Sequence, residues 1–298
     1  VTHLRGTYPI VPTPFTDDGS LDVESIHSLT RFMVDRGVQG LAILGVMGEA
    51  QKLTEAEKVE AIRAFREALP RHLHLIVGTG AAATDPAVHM AKQAAELGAD
   101  ALLVGPPSVQ NDDVIFTYYQ RIGQAVDLPI VLHDYPASTG ILMSVPLIAR
   151  LEREIPTVRY IKLEDPPTGL KMERVRQATE GRLGIFGALG GQYAFEELDR
   201  GALGIMTGFA YPELLVELQR LYDAGDRQGA ARLFYRMLPL IRFEFQPGLG
   251  VALRKEILVR RGAIRSAAVR HPGAVPDART LEHLDMILAY LREEGLDV

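Results

Sequence analysis

The chain has no cysteine and no tryptophan, and only six of its 298 residues are lysine, at positions 52, 58, 92, 162, 171 and 255. Without cysteine there is no disulfide, no thiolate metal site and no cysteine nucleophile, a composition that fits a cytoplasmic protein. No basic tract or interleaving of aromatic with basic residues occurs, and the formal net charge is −6 with a pI of about 5.8. Nucleic acid is therefore not an expected partner. The longest apolar run, Gly40 to Gly48, is far too short to span a bilayer, so no membrane is expected either. The opening residues, Val1-Thr2-His3-Leu4-Arg5-Gly6, do not read as a signal peptide. Walker loop, Ser-His-Asp elbow and His-Glu-x-x-His pattern are all missing, and no cofactor or metal is implied.

What is present is a hydrophobic content of 47%, ample for one large α/β barrel or two domains. Short apolar runs alternate with amphipathic stretches. Strands are predicted to begin near Thr7, Gly40, Leu73, Ala101, Pro129, Val158, Leu183 and Ala202. They are rich in Val, Ile and Leu and do not alternate with polar residues, as expected of strands buried on both faces. Between them, Val23, Ile26, Leu29 and Met33 follow helical spacing, with Gly37 as a stop. Thr54-Glu55-Ala56-Glu57 forms a capping box opening another helix, and Thr84-Asp85-Pro86 starts a third. Eight such units predict an α/β fold, a (β/α)8 TIM barrel, over residues 1–224. An open doubly wound sheet is the alternative, but Pro9-Ile10-Val11-Pro12-Thr13-Pro14 is unlike its glycine fingerprint. Beyond residue 225 the strand signal fades. Helices near 227–243, 249–260 and 278–294 read as a C-terminal helical appendage, residues 225–298, packed on the barrel.

Lys162 stands in Val158-Arg159-Tyr160-Ile161-Lys162-Leu163-Glu164, at the end of the sixth strand. A lysine in a buried strand is costly unless its amine is paired or used. One reading is a salt bridge to Glu164 or another acid; the other is a neutral amine that forms a Schiff base with a ketone. Barrel chemistry occurs at the C-terminal strand ends, which favours the second. The fifth strand ends in His133-Asp134-Tyr135, where His133 can exchange protons near neutral pH. A structural histidine bonded to Asp134 is the alternative. Gly45-Val46-Met47-Gly48 can turn sharply and present amides to a carboxylate, or be an ordinary tight turn. The loop from Gly187 to Gly191 is weak evidence for a phosphate. His72 and His74 lie at a strand start, away from the chemistry, and read as structural.

These pieces in this order resemble the dihydrodipicolinate synthase / N-acetylneuraminate lyase family, from about Gly6 to the end of the barrel near residue 210. The matching pieces are Gly6-Thr7, Pro12-Thr13-Pro14-Phe15, Asp18-Gly19-Ser20-Leu21-Asp22, Gly37-Val38-Gln39-Gly40, Gly45-x-x-Gly48-Glu49, Leu53-Thr54-x-x-Glu57, Gly78-Thr79-Gly80, Leu97-Gly98-Ala99-Asp100-Ala101, Pro136-x-x-Thr139-Gly140 and Ile161-Lys162. The resemblance implies a barrel enzyme, usually a homotetramer built as a dimer of dimers, whose strand-six lysine, by position Lys162, forms a Schiff base with pyruvate or another 2-keto acid. The protonated imine acts as an electron sink for aldol chemistry or loss of a β-hydroxyl.

The departures narrow the reaction. The family loop Gly-Thr-Thr-Gly-Glu has lost both hydroxyls, leaving Val46 and Met47. The fourth strand of the synthases usually ends Pro-Tyr-Tyr; here Pro106 is followed by Pro107 and Ser108. The fifth-strand tyrosine position is His133, and the arginine before Thr-Gly is Ser138. The lysine is thus retained while the tyrosine–threonine relay is gone. The leading expectation is a Schiff-base lyase acting on a small-molecule 2-keto acid, a 2-keto-3-deoxy sugar acid, inclined to dehydration over aldol cleavage because some family dehydratases share Lys-x-Glu after strand six. Lys162 is the expected nucleophile and His133 the acid/base, tuned by Asp134. Val46, Met47, Gly48, Asp134, Glu164, Gly187 and Met206 are expected to line the substrate. The alternatives are a dihydrodipicolinate synthase with a divergent site and a non-catalytic 2-keto-acid-binding protein. The assembly expected is a homotetramer or homodimer.

Overall fold

The computed structural model describes residues 3–298; Val1 and Thr2, with which the N-terminal reading begins, lie outside it. Strands β1 (Gly6–Thr7), β2 (Gly40–Ile43), β3 (His74–Gly78), β4 (Ala101–Val104), β5 (Ile130–Asp134), β6 (Val158–Leu163), β7 (Gly184–Gly187) and β8 (Gly204–Ile205) pair in parallel in the order β1-β8-β7-β6-β5-β4-β3-β2. The ring closes just past β1. Ile10 bridges Ala42, the Val11 amide donates to the Ala42 carbonyl at 3.0 Å, and the Ala42 amide donates to the Pro9 carbonyl at 2.9 Å. Consecutive strands are neighbours all the way round, so the sheet is the (β/α)8 barrel and not the open alternative.

The helices between the strands are α1 (Val23–Val34), α2 (Glu55–Ala68), α3 (Thr84–Glu96), α4 (Asp112–Ala125), a short α5 (Pro136–Thr139), α6 (Val145–Glu154), α7 (Thr168–Ala178) and α8 (Ala194–Asp199). The starts of α1, α2, α4 and α6 are set by side chains that accept from otherwise orphaned amides. Asp22 caps α1 through the Ser25 amide at 3.0 Å, and Thr54 and Glu57 close the capping box of α2. Gly37, with φ 77°, turns the chain out after α1.

Period-two alternation sorts the strand residues into two cores. Tyr8, Ala42, Ile76, Ala101, Val131, Tyr160, Phe186 and Met206 fill the barrel, with Tyr8 edge-on to Phe186 at 5.6 Å between ring centroids. Leu41, Ile43, Leu132, Ile161 and Leu163 face the helices. At the narrow seam between β1 and β8 there is no room for a side chain: a Cβ on Gly204 would stand 1.9 Å from the Gly6 carbonyl oxygen. Strand β8 begins later than the expected Ala202. The Ala202 amide is taken by the Glu197 carbonyl at the end of α8, and Gly201 holds φ 91°.

Four further helices follow: α9 (Pro212–Asp223), α10 (Arg227–Glu244), α11 (Gly250–Arg260) and α12 (Ala278–Glu293). Phe234, Met237, Ile241, Leu253, Ile257 and Leu284 join the same apolar layer that covers the strands, so these helices extend the outer core. One polar tie fixes them to the barrel mouth. Lys255 of α11, fully buried, donates to Glu49 Oε1 and to the Ala268 carbonyl, both at 2.7 Å. Glu49 directly follows the Gly45–Gly48 turn, which α11 therefore holds in place. No helix among the described residues is long and apolar enough to cross a membrane.

Candidate active site

Strands β5 and β6 run in register, with His133 opposite Lys162. Alternation continues the inward face of β6 from Tyr160 to Lys162 and then Glu164, and that of β5 from Val131 to His133 and then Tyr135. Four ionisable side chains, Lys162, Glu164, His133 and Tyr135, therefore converge at the C-terminal mouth. Lys162 is 4% exposed and its Nζ contacts Glu164 Oε2. The same carboxylate oxygen lies 2.8 Å from His133 Nε2, and Lys162 Nζ lies 3.3 Å from that nitrogen. Tyr135 stacks on His133 at 5.9 Å and 29°, and its ring centroid is 5.9 Å from Lys162 Nζ. The loop after β7 completes the cluster. Leu189, at an unusual φ of 43°, directs its amide to Glu164 Oε1 at 3.0 Å. A positive φ at a leucine costs on the order of 1–3 kcal/mol, a strain the site uses to orient one carboxylate.

The electrostatics follow from burial. Loss of hydration lowers the pKa of the Lys162 amine, although the Glu164 carboxylate works in the other direction. Burial, then the Lys162 charge, also lowers His133. Burial would raise Glu164, but Lys162 and His133 outweigh it and hold the carboxyl below its usual range. Burial raises the Tyr135 phenol. The salt bridge and an amine whose pKa burial lowers are thus one arrangement. Glu164 can take a proton from Lys162 and pass it to a histidine that burial keeps neutral.

The other expected site residues divide. Asp134 does not belong to the site. As the strand neighbour of His133 it points outward, where Lys171 of α7 pairs with it at 2.7 Å and with Asp165 at 2.8 Å. Burial pushes its carboxyl up to about 6. The partner expected of Asp134 is supplied by Glu164, because only alternate residues share a face. Met206 lies inside the barrel. Gly48 donates its amide to the Gly45 carbonyl at 3.0 Å and accepts from Thr13 Oγ1 at 2.6 Å, which pins the turn. Val46 points outward, 46% exposed, and Met47 inward. Gly187 turns away from the barrel axis: a Cβ there would meet Glu197 Oε2 of α8 at 2.2 Å. Its backbone stands at the site, but its missing side chain makes room for Glu197. His74 is structural, its Nδ1 lying 3.0 Å from Tyr8 Oη near the strand start.

Glu197, absent from the sequence reading, is fully buried, and burial pushes its carboxyl up to about 8. The pKa is raised on folding, so the group favours the folded state fully below its unfolded value near 4.5. That contribution is lost as pH rises toward 8. At neutral pH, keeping the acid protonated costs on the order of 3 kcal/mol. Glu197→Gln is therefore expected to raise Tm at pH 8 and to change it little at pH 4; equal shifts at both values would contradict this. Tyr135 was legible as the i+2 neighbour of His133. Arg254 of α11, whose Nη1 lies 3.0 Å from Met47 Sδ, carries no local motif signal.

Comparisons with known proteins agree with this fold. Residues 3–290 match the dihydrodipicolinate synthetase family. The chain is 32% identical over 276 residues to L-2-keto-3-deoxyarabonate dehydratase of Azospirillum brasilense, covering 90% of this chain and 88% of that protein. It is 31% identical over 290 residues to 4-hydroxy-tetrahydrodipicolinate synthase of Moorella thermoacetica, covering 95% and 96%. A crystal structure of dihydrodipicolinate synthase from Rhodopseudomonas palustris superposes with a TM-score of 0.91 at 35% identity, over 96% of this chain and 97% of that one. With a barrel, a strand-six lysine and a family match that run nearly end to end, the chain belongs to the dihydrodipicolinate synthetase family and is an enzyme of its lyase and dehydratase kind.

Proposed function

We propose that this protein is a Schiff-base-forming dehydratase of a 2-keto-3-deoxy sugar acid, with Lys162 as nucleophile and Glu164 and His133 as the proton carriers. The observation that carries the reading is the single oxygen of Glu164 that meets both the Lys162 amine and the His133 imidazole in a buried mouth. Neutral Lys162 attacks the ketone carbon, and the carbinolamine loses water to give a protonated imine. The imine withdraws electrons from the neighbouring CH2. Glu164 removes one of its protons, and the electron pair moves onto nitrogen as an enamine. The proton crosses 2.8 Å to neutral His133. The enamine then expels the hydroxyl from the next carbon, with His133 donating the proton so that water leaves. Hydrolysis of the remaining imine frees the unsaturated keto acid and Lys162. The sum is loss of one water, with no external acid or base consumed.

Likeness to the Azospirillum dehydratase supports elimination over condensation. So do the departures at Val46, Met47, Pro107 and Ser138, which remove groups that the synthases use. The same reading includes a cytoplasmic homotetramer or homodimer, and residues 225–298 as an appendage that buttresses the barrel mouth. The test is a product assay on 2-keto-3-deoxypentonates. Loss of water without release of pyruvate is expected. Release of pyruvate plus an aldehyde would make the enzyme an aldolase. Efficient condensation of pyruvate with aspartate semialdehyde would make it a synthase. Imine formation without product would make it a binding protein.

A further inference from the structure

The carboxylate that accompanies every 2-keto acid needs a partner, and the Gly45–Gly48 turn has no hydroxyl to offer. Its Val46 and Met47 amides meet no backbone carbonyl among the described residues, which leaves them available as donors. A second donor stands beside them. Arg254 enters the barrel mouth from α11 and is 5% exposed. Its Nε is held by Glu244 Oε2 at 3.1 Å, and that same oxygen accepts the Ala210 amide at 3.2 Å. The far end of the guanidinium is poorly matched. Nη1 reaches only the Met47 thioether, at 3.0 Å, and neither Nη atom meets an oxygen among the described residues. A buried guanidinium whose fork faces a sulfur is an incomplete arrangement, because sulfur is a weak acceptor and the fork matches a carboxylate. Gly250 keeps the approach tight, since a Cβ there would lie 3.2 Å from Nη1. Its contact with Met47, which packs against the barrel interior, sets the fork on the barrel side of the turn, and its positive charge acts to lower the pKa of the Lys162 amine.

We infer that Arg254 is the substrate-carboxylate receptor of this enzyme. Its Nη fork and the Val46 and Met47 amides grip the carboxylate next to the ketone, after the flexible Met47 side chain swings aside. Glu244 is then a positioning residue that holds the Nε edge and aims the fork at the turn. The pairing also accounts for a buried arginine on a C-terminal helix whose Nη fork has no carboxylate of its own: the ligand supplies one. This inference rests on the imine reading at Lys162, and its test separates the two.

The probes are pyruvate and its neutral analogue pyruvamide, each reduced onto the protein with borohydride and scored by intact mass over a concentration series. The wild type is expected to form adducts with both, and absence of any adduct would refute the imine reading itself. The double variant Arg254→Met/Glu244→Leu removes both buried charges together and keeps the packing. It is expected to raise the half-saturating pyruvate concentration by about 10- to 100-fold, while pyruvamide changes by less than about threefold. Arg254→Lys keeps Glu244 paired but loses the fork. It serves if the double variant does not fold, and it is expected to weaken pyruvate alone by several-fold. Equal effects on the two ketones, or no effect on either, would overturn the assignment and leave Arg254–Glu244 a structural ion pair.

Discussion

Lys162→Ala is expected to lower kcat on the 2-keto-3-deoxy acid by on the order of 10⁴–10⁶-fold, as loss of a covalent nucleophile does. Alanine also strands Glu164, a buried carboxylate that would lose its nearest positive charge. Some of the loss in that variant would therefore reflect a weakened fold. Lys162→Arg separates the two. Arginine keeps a positive charge against Glu164 and His133 but cannot lose its proton to become a nucleophile. A variant whose Tm stays near that of the wild type while turnover disappears is the expected outcome. Appreciable turnover by Lys162→Arg would show that the reaction does not pass through an amine at this position.

Glu164→Gln is expected to reduce kcat by about 10²–10⁴-fold, the usual effect of removing a positioned proton carrier. It should also change the pH dependence of imine formation. In the wild type the Glu164 charge raises the pKa of Lys162 against the lowering by burial. Glutamine is similar in shape but uncharged, so the burial effect is left unopposed and the lysine pKa falls further. Attack requires the neutral amine, so the acid limb of the imine-formation profile moves to lower pH. Slower turnover combined with imine formation that persists further into acid is the expected signature. Unchanged turnover would remove Glu164 from the proton transfers, and an unmoved limb would show that its charge does not act on Lys162.

The barrel was legible because its signals are local and repeated. Non-alternating apolar runs mark strands buried on both faces, and Thr54 with Glu57 announces a helix start in four residues. Lys162 was legible because a charge at the end of such a run conflicts with its surroundings. What the sequence concealed depends on direction and on long-range contact. His133 and Asp134 are adjacent in the chain, yet the strand sends one to the axis and the other to Lys171. Glu164 was visible as the i+2 partner of Lys162, but not its bond to His133, which joins neighbouring strands. The Leu189 amide enters the site only because its backbone adopts a positive φ that no residue type there advertises. Gly187 reads as a ligand-binding glycine, and only packing reveals that it accommodates Glu197. Arg254 and Lys255 come from α11, far along the chain, and their meeting with Met47 and Glu49 is a property of the folded layer alone.

All of this chemistry depends on one buried amine becoming bonded to a ketone carbon. The most direct test is peptide mapping of the wild-type protein after borohydride reduction with pyruvate and tryptic digestion. An alkylated lysine resists trypsin, so the account predicts an uncut peptide running from Tyr160 to Lys171 that carries the reduced adduct on Lys162. An adduct confined to Lys52, Lys58, Lys92, Lys171 or Lys255, or none at saturating pyruvate, would contradict it.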